Sequence, residues 1–198
     1  MQPYFFPYEG YYKLMECVDY FVVFDNAQFP RRGRCHRLQA THVSGTHRWL
    51  TLPLSAASQE AAISEVELDV TRWGEVHQNL KMFPSVERTL SRSQALRNCV
   101  LVPQVRLLDY LLAQHRAFAD VRGFSAEICL ASQIAQRDGS SYAEYILEIG
   151  DRLNCEDYVN LSGGADLYSK DFFATRGKNL HFMSPYLGSR LSVLEDSF

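Results

Sequence analysis

Between residues 127 and 183 the sequence alternates between strand-like and helix-like periodicity, and this alternation restricts the fold more than any other feature of the chain. "EICLAS" reads as a strand and "SSYAEYILEIGDRLN" as a helix with Ser140 or Ser141 at its N-cap; "DYVNL", "ADLYSKDFFATRG" and "LHFM" continue as strand, helix and strand. Strands separated by helix-length connections pair in parallel, with the helices packed on the faces of the sheet. A second sign lies upstream, where Tyr20 to Phe24 form an unbroken apolar run, the pattern of a strand buried on both faces. The expected fold class is α/β: a mixed, largely parallel, Rossmann-like sheet with helices on both faces.

The remaining segments fit around that sheet. A short helix is expected over Tyr11 to Cys17, strands over His47 to Leu54 and Ile63 to Val70, and a helical segment over about 73–122, broken at Pro84 and Pro103. Trp49 and Trp73 read as core aromatics. A chain of 198 residues can bury the core of one domain, spanning 1–198, without a staple. Its net charge of -3 and lack of a basic run give no electrostatic reason to expect nucleic acid or an anionic membrane as partner, which leaves a small molecule. The five cysteines are odd in number and contain no CxxC, so neither a disulfide framework nor a thiolate zinc site is expected. No stretch has the length of a membrane span or the pattern of a signal peptide. A cytoplasmic location follows as the expectation.

Three polar loops follow predicted strands, at the sheet edge where open α/β folds place ligands. The first, Asp25-Asn26-Ala27-Gln28, offers a carboxylate that could serve as general base or cap the next turn. The second carries Arg31, Arg32, Arg34 and Arg37 around Gly33; these could clamp a phosphate or carboxylate, or be solvated surface charges. His36 lies among them, and neighbouring cations would favour its neutral, proton-accepting form. The third, Asn160 to Gly164, places Gly163 and Gly164 before a helix, either as an anion cradle or as a tight turn needing positive φ. His36, His42 and His47 share no helix face, so no metal site is expected. The opening "MQPYFFPYEGYYKL" sets Pro3, Pro7 and Gly10 among aromatic rings, so its backbone path matters as much as its apolar surface.

The opening motif, "DYFVVFDNAQFPRRGRCHR", "WLTLPL", "YVNLSGGADLY" and the ending "LSVLED" together resemble the WbqC-like protein family, in the family's order and over nearly the whole chain. The motif residues fall on Gln2, Tyr4, Pro7, Tyr8, Gly10, Asp25, Gln28, Arg37, Asn160, Gly163, Gly164 and Tyr168. His36 stands where Asn is expected, and Gln133 where an acidic residue is more usual. Relatives carry an apolar strand before the opening motif and continue past "LSVLEDSF", so the completeness of both termini stays open.

The resemblance implies a role in bacterial O-antigen or other surface-polysaccharide biosynthesis, as an aminoacyl (glycine) transferase acting on an amino sugar or sugar nucleotide. In that scheme Asp25 or His36 accepts the proton of the attacking amine. Gln2, Tyr4, Tyr8, Gly10, Gln28, Arg32, Arg37, Asn160, Gly163, Gly164 and Tyr168 form the substrate-binding set. Two alternatives stand beside it. One is a nucleotidyltransferase similar to the HIGH type, with Tyr8-x-Gly10-Tyr11 in place of His-x-Gly-His; the other is a non-catalytic sugar-nucleotide-binding subunit. The cofactor is left open, a nucleotide such as ATP or a sugar nucleotide being the candidate, as is the oligomeric state.

Overall fold

The computed structural model describes residues 1–195; Asp196, which closes the quoted ending, lies outside them. Helix α1 (Glu9–Glu16) leads into β1 (Tyr20–Val23), which is followed by a hairpin of β2 (Arg37–Thr41) and β3 (His47–Thr51). Four helices come next: α2 (Trp73–Leu80), α3 (Pro84–Arg92), α4 (Gln94–Leu101) and α5 (Leu107–Arg122). The chain then returns through β4 (Glu127–Leu130), the short α6 (Ala131–Ile134), α7 (Tyr142–Arg152), β5 (Asp157–Asn160), α8 (Lys170–Ala174) and β6 (Asn179–Phe182).

The fold is mixed α/β, and its described strands form three two-stranded ladders. β1 pairs in parallel with β4, Phe21 opposite Ile128; β5 pairs in parallel with β6, Asn160 opposite Phe182; β2 and β3 pair antiparallel. The apolar run of β1 is covered on two sides. Phe21 and Val23 enter the main core, while Val22 and Phe24 pack with Ala131, Tyr145 and Ile149 beneath α7. α7 starts where its sequence says it should. Ser141 accepts the Glu144 N–H at 3.2 Å, and the Glu144 carboxylate accepts the Ser141 N–H at 3.0 Å, a reciprocal cap that satisfies otherwise orphaned donors.

Three segments differ from expectation. "ISEVELDV" forms 3₁₀ turns at Ile63–Glu65 and Val70–Arg72 rather than a strand. Ile63 and Val66, three apart, are both buried, a spacing that a 3₁₀ turn satisfies and a strand does not. The basic loop runs straight into β2, where Leu38 and Ala40 alternate inward behind the arginines. The helix expected after Gly164 shrinks to α8, because Ser162–Leu167 winds as 3₁₀ and Ser169 caps the start of α8 through the Phe172 N–H.

The opening segment ties these parts together. The Met1 amine donates to the Val22 carbonyl at 2.6 Å and the Met1 carbonyl accepts from the Phe24 N–H at 2.8 Å, so the chain starts beside β1 in parallel-ladder fashion. It then leaves the sheet through Phe6, whose φ of 35° is uncommon for a bulky residue. Such a conformation costs about 1–3 kcal/mol and persists only where surroundings enforce it. Here the buried Gln114 amide accepts the Phe6 N–H at 2.8 Å and donates to the Tyr4 carbonyl, while the Ser192 hydroxyl donates to the Phe6 carbonyl at 2.7 Å. Phe5 also donates to the Arg34 carbonyl, and Val193 to the Pro7 carbonyl. The prolines and aromatics thus serve one path, which pins α5, the basic loop and the C-terminal segment to the same turn.

Candidate functional site

That turn delivers Tyr4 and Tyr8 to a corner where cations and rings alternate. The Arg190 guanidinium lies 4.6 Å from the Tyr8 ring centre, and Arg34 lies 5.9 Å from the same ring. Arg34 is also 5.2 Å from the Trp49 ring, over which Arg37 sits at 4.5 Å. Tyr186 packs 5.6 Å from Tyr8, with the Lys13 ammonium 5.7 Å from its ring. The opening turn, α1, the basic loop, β2, β3 and the segment after β6 all contribute. Gly10 makes the close packing feasible, since a Cβ there would lie 2.6 Å from Cγ of Tyr186.

Charge is what sets the corner apart. Among the described residues, the ion pairs involve Arg72, Arg97, Arg122, Arg152, Lys178 and His181, so Arg34, Arg37 and Arg190 have no carboxylate partner. Partial burial holds the Arg34 pKa below its ordinary value, and the positive charges of Arg190 and Arg37 push in the same direction. Burial likewise raises the Tyr4 pKa, keeping its hydroxyl a hydrogen-bond donor. Arg34 and Arg37 are half-buried and Arg190 is exposed; guanidiniums that repel one another beside aromatic faces have the chemistry to hold an anion that also carries a ring.

Elsewhere the predicted residues are engaged by the fold. The buried Asp25 carboxylate accepts the Ser132 hydroxyl at 2.6 Å and the Ser132 N–H at 3.1 Å, so it serves the start of the distant α6 rather than the next turn. Asn26 donates to the Tyr145 hydroxyl, and Gln28 to the Gln59 carbonyl. Arg31 donates to the Ala57 carbonyl, while Arg37 closes the basic loop on the carbonyls of Gly33 and Arg32. Arg32 is exposed, and the interaction it makes there is through its backbone.

His36 faces a different space, a cavity of about 380 Å³ bordered by Thr51 to Leu54, Arg72, Glu75 and Asn79. Burial, more than the neighbouring Arg37, lowers its pKa to about 4; its Nδ1 has no partner among the described residues. It shares no hydrogen bond with Asp25, so the two proposed bases are not joined as a pair.

The third loop is also built differently from its sequence reading. Gly163 and Gly164 lie inside the 3₁₀ stretch, and neither has positive φ. Gly164 is explained by close approach, because a Cβ there would sit 2.5 Å from the Asn160 amide nitrogen. The Asn160 side-chain oxygen accepts the Leu161 N–H at 2.8 Å. Tyr168 packs its ring against Tyr158 and Phe173. Gln2 contributes its carbonyl to the Tyr11 hydroxyl, and its side chain is half-buried near the turn's start. Of the substrate-binding set, the structure gathers Tyr4, Tyr8, Gly10 and Arg37 at the corner, adding Arg34, Trp49, Tyr186 and Arg190. Trp73 is buried as expected, whereas Trp49 is 37% exposed and serves as a platform. No group of three His, Cys, Asp or Glu side chains among the described residues is arranged to hold a metal.

The WbqC-like protein family model matches residues 2–190, from the opening motif through Arg190. The chain belongs to the WbqC-like protein family. It is also similar to the uncharacterized protein Rv1507c of Mycobacterium tuberculosis (strain ATCC 25618 / H37Rv), with 28% identity over 78 residues. That match covers 39% of this chain and 33% of the relative's length. No solved structure matches the chain. Among the described residues, no helix is long and apolar enough to cross a membrane.

Proposed function

We propose that this WbqC-like chain binds a sugar nucleotide, with its phosphates on Arg34 and Arg190 and its base or sugar ring against Tyr8 and Trp49. The observation that carries this reading is the alternation of three guanidiniums with two aromatic faces and no carboxylate among them. A phosphate there relieves the repulsion between the arginines and gains charge-assisted hydrogen bonds, while the rings supply stacking area. The proposed context, supported by the resemblance to the WbqC-like family, is assembly of a bacterial surface polysaccharide from sugar nucleotides in the cytoplasm.

Within that context the finer reading is glycine transfer to an amino sugar. The sugar amine attacks the glycyl carbonyl, a C–N bond forms, the bond from the acyl carbon to its carrier breaks, and a base takes the amine proton. Asp25 and His36 are the bases proposed from sequence. The engagement of Asp25 by Ser132 and the separate cavity of His36 favour the second reading, a binding subunit without turnover.

A thermal-shift titration with a nucleotide amino sugar separates these cases, because ligand that binds only the native state raises its apparent stability. The proposal predicts a concentration-dependent rise that Arg190→Ala abolishes; a rise unaffected by Arg34→Ala and Arg190→Ala would overturn it. If wild type also forms a glycyl amide from an activated glycine donor and Asp25→Asn does not, the transferase reading stands over the binding subunit.

A further inference from the structure

His36 stands one residue before β2, and the cationic corner makes no use of it. Arg37 beside it turns its guanidinium to Trp49, whereas the imidazole borders the separate cavity of about 380 Å³. That volume lies in the range of about 300–1,000 Å³ that small-molecule sites occupy. The ring is 8% exposed, and its Nδ1 has no partner among the described residues. Folded proteins seldom leave a buried polar atom unmet, so this one points to a group that the chain itself does not supply.

The walls are held in place by backbone bonds. The Leu52 N–H donates to the His36 carbonyl at 2.8 Å, fixing the imidazole to the end of β3. Asp69 joins that strand end to the facing wall: its N–H donates to the Pro53 carbonyl at 3.0 Å, while its carboxylate accepts the Thr71 N–H at 3.1 Å and caps the turn that carries Arg72. α2 follows directly, with Glu75 and Asn79 one helical turn apart on the same face.

The chemistry of this cavity is the opposite of the corner's. Nε and Nη2 of Arg72 donate to the two Glu75 oxygens at 2.8 and 2.7 Å, a planar fork in which the charges cancel, and Asp69 adds negative charge beside the guanidinium. Burial lowers the His36 pKa to about 4, so at neutral pH one ring nitrogen donates and the other accepts. Thr51 and Asn79 bring an uncharged hydroxyl and amide to the exposed rim; neither side chain has a hydrogen-bond partner among the described residues. An anion finds no uncompensated cation here. Groups that both donate and accept suit a ligand whose groups do the same, which describes ring hydroxyls, and Pro53 and Leu54 offer apolar surface to the C–H face of such a ring.

We propose that this cavity is a second binding site, for the hydroxyl-bearing ring of a neutral sugar, separate from the anion-binding corner. The ring hydroxyls exchange hydrogen bonds with His36, Asn79 and the Arg72–Glu75 fork, and the ring C–H groups lie on Pro53 and Leu54. The cavity needs nothing from Arg34 or Arg190, so it takes a sugar whether or not the corner holds a nucleotide.

The test is an NMR titration of the full chain with D-glucose, D-galactose and N-acetylglucosamine at millimolar concentrations, and separately with inorganic phosphate. The signals followed are the backbone amides of Leu52 and Leu54 and the side-chain amide of Asn79. At least one sugar is expected to shift them saturably, and phosphate to leave them in place. Asn79→Ala and Glu75→Ala change exposed positions, and each should weaken that sugar by about fivefold or more, the loss of about one net hydrogen bond. Glu75→Ala also frees the Arg72 charge, so phosphate should now shift the same amides. No saturable shift with any of the three sugars overturns the proposal, as does a phosphate response in wild type or sugar binding unchanged in both variants. Loss of the sugar shifts with Arg190→Ala would place the sugar at the corner and overturn it as well.

Discussion

Two charged regions of this protein look alike in sequence and differ in what the fold does with them. Asp25 sits in a polar loop after β1 and is buried, with both carboxylate oxygens accepting hydrogen bonds from Ser132. Arg34 and Arg190 face Tyr8 with no carboxylate partner among the described residues. Burial of a satisfied charge contributes to architecture, whereas like charges held close together without a counter-charge, here half-buried Arg34 beside exposed Arg190, repel one another in a way that a bound anion would relieve. Candidate residues are therefore sorted better by whether their partners are internal than by their chemical type.

The largest effect that sharpens this contrast is on ligand affinity. Replacing both Arg34 and Arg190 by Ala should weaken binding of a sugar nucleotide by at least about a hundredfold, from charge-assisted bonds of about 1.5–3 kcal/mol each, without lowering the melting temperature. Asp25→Ala should do the reverse. Removing the acceptors of Ser132 costs about 1–3 kcal/mol, read as a melting temperature lower by about 2–4 °C per kcal/mol, with affinity retained. A hundredfold loss of affinity with Asp25→Ala would erase the contrast.

Gln114→Ala removes both hydrogen bonds that hold the Tyr4 to Phe6 turn. It should destabilise by about 1–3 kcal/mol and, unlike Asp25→Ala, weaken ligand binding as well, because Tyr4 and Tyr8 lose their placement.

Acid should act on stability without acting on the arginines. Burial lowers the pKa of His36 to about 4 and of His115 to about 3. As pH falls below the ordinary value of 6.5 the unfolded chain takes up these protons first, so stability is full above that pH and is lost on the way down to about 4. Each group contributes a slope of up to about 1.4 kcal/mol per pH unit. His115→Phe should flatten the slope, as seen by chemical denaturation across that range; an unchanged slope would remove His115 from the account.

Local pattern made some of this visible and distance in sequence hid the rest. The Ser141 cap and the two-sided burial of β1 are written in adjacent residues, and both elements are where the sequence puts them. Asp25 was legible as a polar loop residue, but its partner Ser132 lies 107 positions away, and Gln114 lies 108 from Phe6. No window of sequence holds both members of either pair. Arg190 carries no signal of its own in "YLGSR"; it joins Tyr8 only because Ser192 and Val193 bond to the turn at Phe6 and Pro7. β2 was obscured because its inward residues, Leu38 and Ala40, follow directly on the arginines.

The most direct measurement is a calorimetric titration of a nucleotide amino sugar into wild type, Arg34→Gln, Arg190→Gln and Asp25→Asn at low and moderate salt. An unpartnered cationic corner predicts that both arginine variants lose about tenfold or more in affinity and most of the salt dependence, while Asp25→Asn keeps both. Equal affinity and equal salt dependence in wild type and the arginine variants would contradict it.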